Sequence, residues 1–262
     1  MFTRMLIIML IAVLALPVTT LTRPGETGQS PWSNVTVAAK GKHHKKKDKK
    51  RKDKTDTRTV RQPVTQTFTS TKPMIIPNGA PATDKGPANP YPSAIAVSGF
   101  TNGVITDVNL IFTDLTHDHY DDLDILLSTN DGRQAHVMSD VADLPDVDGE
   151  DIDLILDDEA AAALPGDNEY LRSGTFRPTN IAAFDDTFLA PAPTPNGNVA
   201  LSGFDGADPN GTWNLWVMDN GGGDYGDLGG WALQITAEVD VHVPDQVKAK
   251  HKKHKKHGKK RR

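Results

Sequence analysis

The chain has 262 residues, no cysteine, 29 Lys and Arg against 34 Asp and Glu, and a formal net charge of -5. The missing cysteines exclude disulfides, thiolate zinc or iron–sulfur sites and a cysteine nucleophile. The modest net charge conceals segregation: Pro73 to Pro244 hold four of the basic residues and 29 of the acidic ones, whereas Lys40 to Arg61 hold 12 basic against 3 acidic and Asp245 to Arg262 hold 10 against 1.

In chain order, Arg4, the apolar run Met5 to Leu16, Pro17 and the small or β-branched Val18 to Thr20 form the pattern of a secretory signal, assigned to residues 1–22. The run is shorter than the ~20 apolar residues that span a bilayer, so no transmembrane span is expected in the mature chain. Export without cysteines fits a bacterial secreted or cell-envelope protein better than a small animal extracellular module.

Residues 23–72 are Thr-rich and Lys-rich with little apolar periodicity and are expected to be a disordered linker; residues 241–262 are expected to be a disordered basic tail. The clusters Lys45, Lys46, Lys47, Lys49, Lys50 and Arg51, and Lys252, Lys253, Lys255 and Lys256, are candidates for binding a polyanion such as an anionic envelope polymer or lipid surface. Neither lysine cluster carries a Phe, Tyr or Trp to stack on bases, which disfavours sequence-specific nucleic-acid recognition. A solubilising role, or folding back onto the acidic middle, would use the same charges.

From residue 73 to residue 240 the pattern changes to short β-branched runs separated by Gly, Asp, Asn and Pro. Ile95–Phe100, Val104–Leu115, Leu123–Ser128, Gln134–Ser139, Ile152–Asp157, Val199–Phe204, Trp213–Met218 and Trp231–Val239 each read as a strand. Leu123, Ile125 and Leu127 share one face and Asp122 and Asp124 the other; Trp213, Leu215 and Val217 share a face, as do Trp231, Leu233 and Ile235. Only Glu159–Leu164 looks helical, over a turn or two. Strands without crossover helices predict an all-β, antiparallel sandwich of jelly-roll type.

Three motifs carry the chemistry: His117-x-x-x-Asp121-Asp122-Leu123-Asp124-Ile125, then Asn210-Gly211-Thr212-Trp213-x-Leu215-x-Val217-x-Asp219, then Gly223-Asp224-x-Gly226-x-Leu228-x-Gly230-Trp231. Together they resemble the P domain (P/Homo B domain) that accompanies the subtilisin-like catalytic domain of furin and kexin type convertases and occurs on many bacterial exported proteins. The resemblance covers roughly Met74 to Thr236. It implies a galactose-binding-like β-sandwich, a structural role for His117, Leu123, Gly211, Trp213, Asp219, Gly230 and Trp231, and a subtilisin-like protease domain as partner. The chain departs from the convertase pattern at Asp121, at Ser128–Gly132 and through the proline-bearing stretch Ser173–Asn198.

No subtilisin-type His or Ser motif and no nucleophile elbow surrounds Ser93, Ser98, Ser128, Ser139, Ser173 or Ser202, and no catalytic domain fits the length. The expectation is a non-catalytic module. Asp118, Asp121, Asp122, Asp124, Asp219 and Asp224 are candidate calcium ligands, because loops at one rim of a sandwich can gather the six to eight oxygens that Ca²⁺ takes. The same carboxylates could simply keep an exported surface soluble. His117 and His119, two apart, have spacing that also suits zinc, although a loop histidine in a structural role is the plainer reading.

Overall fold

The computed structural model describes residues 57–78, 85–144, 151–181 and 186–244. These belong to one unit of the chain, Asp53–Arg262, while the unit Met1–Lys52 lies outside the described residues, as do the signal segment and both lysine clusters.

The strands are β1 (Thr57–Ser70), β2 (Met74–Ile76), β3 (Gly86–Pro87), β4 (Ser93–Val97), β5 (Val104–His117), β6 (Leu123–Thr129), β7 (Gln134–Ser139), β8 (Ile152–Leu156), β9 (Gly174–Phe176), β10 (Thr179–Asn180), β11 (Gly211–Asp219) and β12 (Gly226–Pro244). Two single 3-10 turns, Tyr120–Asp122 and Leu201–Phe204, interrupt them. One sheet runs β1-β12-β5-β8-β9, with β2 also on β12; the other runs β10-β7-β6-β11-β3, with β4 also on β11. Pairing is antiparallel except at the short edges β7–β10 and β8–β9. No helix among the described residues is long and apolar enough to cross a membrane.

Period-two alternation builds the core. Leu123, Ile125 and Leu127 of β6 and Trp213, Leu215 and Val217 of β11 face Trp231, Leu233 and Ile235 of β12, all at most 1% exposed. Trp213 donates its indole N–H to the Pro209 carbonyl at 3.0 Å and Trp231 to the Ser93 hydroxyl at 2.8 Å, so neither polar handle is stranded. At ~25 cal/mol per Å² and about 200 Å² each, burial of these two rings contributes roughly 5 kcal/mol apiece before entropy.

Along β5 the inward residues are Ile105, Val108, Leu110, Phe112, Leu115 and His117, so the spacing of two is broken twice by a spacing of three. Each break is a bulge: the register shifts against β12 at Thr236/Ala237, and against β8 between Phe112 and Leu115, where Asp114 takes φ +53°. An extra residue restores the apolar side to the core.

Several segments differ from the sequence expectation. Thr57–Ser70 is a strand and not part of a disordered linker; it pairs with β12 over its whole length, and its Thr-rich, β-branched composition suits a half-buried edge. Pro63 is tolerated on such an edge. Strand β12 runs on to Pro244, past the expected start of the tail at 241. Val199–Phe204 ends in a 3-10 turn, with Gly203 N–H bonded to the Ala200 carbonyl. Glu159–Leu164 forms a turn at its start, Ala160 N–H on the Asp157 carbonyl, and no helix.

Candidate functional site

Strand pairing brings the three motifs to one end of the sandwich. Asp219, the last residue of β11, sits opposite Leu123, the first of β6, and Gly226, the first of β12, sits opposite His117, the last of β5. His117 and Asp219 both continue the inward alternation of their strands. Their side chains are fully buried, with Nε2 and Oδ2 3.5 Å apart, at the outer edge of hydrogen-bonding distance. The His117 Nδ1 lies 2.6 Å from the His119 carbonyl. Burial pushes the His117 imidazole down, but the Asp219 carboxylate and the His119 carbonyl outweigh it and leave its pKa raised.

Around this pair the carboxylates crowd. The main chain N–H of Gly221 donates to Asp219 Oδ1 at 3.1 Å, that of Asn220 to the Asp122 carbonyl at 2.8 Å, and that of Tyr225 to Asp118 Oδ2 at 3.4 Å. Gly221 packs directly on the Asp122 carboxylate, where any Cβ would overlap it. Burial, reinforced by Asp121, Asp224 and Asp219, pushes the Asp122 pKa up to about 6. Asp219 Oδ2 and Asp121 Oδ1 are buried and lack a hydrogen bond. Arg133 and Arg177 are engaged elsewhere, Arg133 with Asp131, Gly203 and Asp205, Arg177 with Ala160 and Ala161. Beside this end lies a cleft of about 380 Å³ lined by Ile75, Thr116, His117, Asp118, Tyr225, Gly226 and Asp227, with Ile75 and Tyr225 largely exposed.

Of the six candidate calcium ligands, Asp121, Asp122, Asp219 and Asp224 therefore share one locality and Asp118 flanks it. Asp124 does not join them. It points to the opposite face of its sheet, and that face is not solvent: residues 186–192 cover it, with Phe188 packed edge-on against His136 (5.3 Å) and Tyr91 edge-on against Trp216 (5.0 Å) while bonding the Leu189 carbonyl. Asp124 is wholly inaccessible there. Burial pushes its pKa up to about 7; the Ser139 hydroxyl and Asn220 amide lower it, and Asp186 and Asp140 raise it.

His117 and His119 do not present a zinc pair, because His117 faces Asp219 in the core while His119 Nδ1 sits 3.7 Å from Asp121 at the surface. The motif residues take structural positions: Leu123, Trp213 and Trp231 are in the core, Gly211 adopts φ +141°, and a Cβ on Gly230 would come within 2.9 Å of the Ser70 carbonyl. The serines serve structural bonds. Ser93 and Ser128 accept from Trp231 and Trp216, Ser173 accepts from the Asp153 N–H, and Ser139 is fully buried against carboxylates instead of an imidazole.

Asp124 instead bonds the Ser139 hydroxyl and the Asn220 amide and lies beside His136 and Asp186, which Asn180 bonds in turn; none of these five was expected as its surroundings from the sequence. The readable signal was His136 within the otherwise apolar run Ala135–Met138.

The opposite end is acidic too, with Asp107, Asp157, Asp158, Glu159 and Asp205 close together. There the carboxylates are used: Asp158 accepts the N–H groups of Leu201 and Ser202 at 3.0 and 2.7 Å, and Asp157 that of Glu159 at 2.8 Å.

No protein-family model and no curated protein matches this chain. Among solved structures it is similar to the serine protease of Aeromonas sobria (14% identity, TM-score 0.32, covering 68% of this chain and 27% of that one). It is likewise similar to the Aeromonas sobria serine protease in complex with the chaperone ORF2 (13% identity, TM-score 0.32, covering 69% and 27%). The chain thus spans about a quarter of the length of those proteins.

Proposed function

We propose that this chain is an exported, non-catalytic module of P-domain type that stabilises a subtilisin-like protease domain and holds Ca²⁺ at its His117–Asp219 end. The observation that carries the reading is the convergence of three motifs, the first far in sequence from the adjacent second and third, on one buried His–Asp pair between the two sheets. Asp121, Asp122, Asp219 and Asp224, with Asp118 and nearby carbonyls, would supply the oxygens that a hard cation takes. Asp219 Oδ2 and Asp121 Oδ1 fit that role, since each is a buried oxygen with no hydrogen bond, facing only a histidine nitrogen at 3.5 and 3.7 Å. The exposed Ile75 and Tyr225 beside this end offer an apolar contact for the protease domain.

Charge segregation supports a second function for the arms, electrostatic retention on an anionic envelope polymer or lipid surface.

The test pairs a subtilisin-like catalytic domain from the same genome with the purified full chain. The reading expects no labelling of this chain by a serine-directed fluorophosphonate, and a longer half-life of the protease at elevated temperature when the chain is added, an effect lost in Tyr225→Asp. Labelling of the chain itself, or an unaltered protease half-life, overturns it.

A further inference from the structure

We propose that Asp124, His136 and Asp186 form a second, separate metal centre, binding a divalent transition-metal ion of the Zn²⁺ type on the covered outer face of the β6–β7–β11 sheet. The three side chains come from β6, from β7 and from the segment after β10, and one ligand atom from each lies within 4.8 Å of the others. His136 and Asp186 have side chains only 2% and 5% exposed, and Asp124 is fully buried. His136 Nδ1 is 3.3 Å from Asp186 Oδ2, close to the roughly 3.4 Å edge of a tetrahedron with ~2.1 Å bonds.

A further observation points to a ligand. The Asn180 amide stands against the cluster, its Nδ2 2.8 Å from both His136 Nδ1 and Asp186 Oδ2, while its Oδ1 is buried with no hydrogen bond. Turning that amide by 180° would offer Oδ1 to an ion held between the imidazole and the carboxylate, the two Nδ2 hydrogen bonds giving way to the metal bond and Nδ2 taking the place where Oδ1 stood.

The charge balance asks for a cation as well. Asp124 Oδ1 and Asp186 Oδ1, on side chains almost wholly buried, stand 2.8 and 2.9 Å from the one Ser139 hydroxyl, which has a single proton to give. Buried carboxylates need pairing or a metal, and the arginines nearby in sequence, Arg133 and Arg177, bond elsewhere. An imidazole among carboxylates favours a first-row transition metal over Ca²⁺, which takes oxygen alone. Bound there, the ion would staple residues 186–192 onto the sheet, a cross-link that a chain without disulfides otherwise lacks.

The test uses the full chain, stripped with a chelator and titrated with Zn²⁺, Co²⁺ and Ca²⁺, beside a variant with His251, His254 and His257 replaced by alanine so that tail histidines do not contribute. The expected result is one Zn²⁺ per chain, a melting temperature raised by roughly 5–10 °C at a hundredfold excess over Kd, and intense visible bands on Co²⁺ loading. His136→Leu should weaken Zn²⁺ binding at least about 100-fold and abolish the Co²⁺ bands. Asp186→Asn, which keeps shape and hydrogen bonding, should give the same loss without unfolding the chain, while the Ca²⁺ response at the His117–Asp219 end stays unchanged in both. Zn²⁺ binding that is absent, that vanishes with the tail histidines, or that is identical in wild type, His136→Leu and Asp186→Asn overturns the proposal.

Discussion

The two acidic ends of the sandwich are alike in composition and different in physics. At the Asp107–Asp158–Asp205 end, carboxylates stand at the surface and cap main-chain N–H groups of the 3-10 turn that begins at Leu201. At the His117–Asp219 end, Asp219 enters the interior against an imidazole, Asp122 is half-buried beside it, and Asp219 Oδ2 and Asp121 Oδ1 have no hydrogen bond, each only facing a histidine nitrogen at 3.5 and 3.7 Å. Acidic sequence alone therefore says little; what separates the solvated rim from the proposed cation site is how far the strand alternation carries each carboxylate inward.

The largest expected effect that sharpens this contrast is at His117. His117→Ala leaves Asp219 buried and uncompensated and should cost about 3–5 kcal/mol in chemical denaturation without metal. Asp158→Ala at the other end loses two partly exposed hydrogen bonds and should cost about 1–2 kcal/mol. Equal losses at the two ends would erase the distinction.

The ends should also differ in how pH acts on them. The folded-state pKa of His117 is raised, so its pair stabilises fully below about pH 6.5, the ordinary histidine value, and loses that contribution as pH rises through the folded value. With chelator present, the gap in melting temperature between wild type and His117→Gln should narrow from pH 6 to pH 9; a constant gap would break the assignment. At the other end burial, with Asp158 adding to it, raises the Asp205 pKa, so its ionisation is unfavourable above about pH 4. The smallest effect follows: Asp205→Asn should raise the melting temperature slightly at pH 7 and leave it unchanged at pH 3.

Much of the frame was legible in the chain. Period two gave the inward faces of β6, β11 and β12, whereas both bulges of β5 were not anticipated: Val104–Leu115 read as one plain strand, and the spacing of three from Ile105 to Val108 and from Phe112 to Leu115 takes its meaning only from the register against β12 and β8. Strand β1 was not legible, since Thr and Gln at an edge strand need bury nothing completely and the lysines before it suggested disorder. The calcium candidates were found as a group because they lie in two loops next to paired strand ends. Asp124 was placed with them because alternation gives its face but not what covers that face. Its partners His136 and Asp186 lie 12 and 62 residues away, brought together by the β6–β7 bulge and by residues 186–192 of the very stretch that departs from the convertase pattern.

The central claim, that one acidic end is a cation site and the other a solvated rim, is tested most directly by thermal unfolding of the full chain with excess Ca²⁺ and with chelator. The account predicts a melting temperature raised by Ca²⁺ by several degrees, a rise abolished by Asp219→Asn and retained by Asp158→Asn. A melting temperature indifferent to both Ca²⁺ and chelator, or a rise that survives Asp219→Asn and disappears with Asp158→Asn, would contradict it.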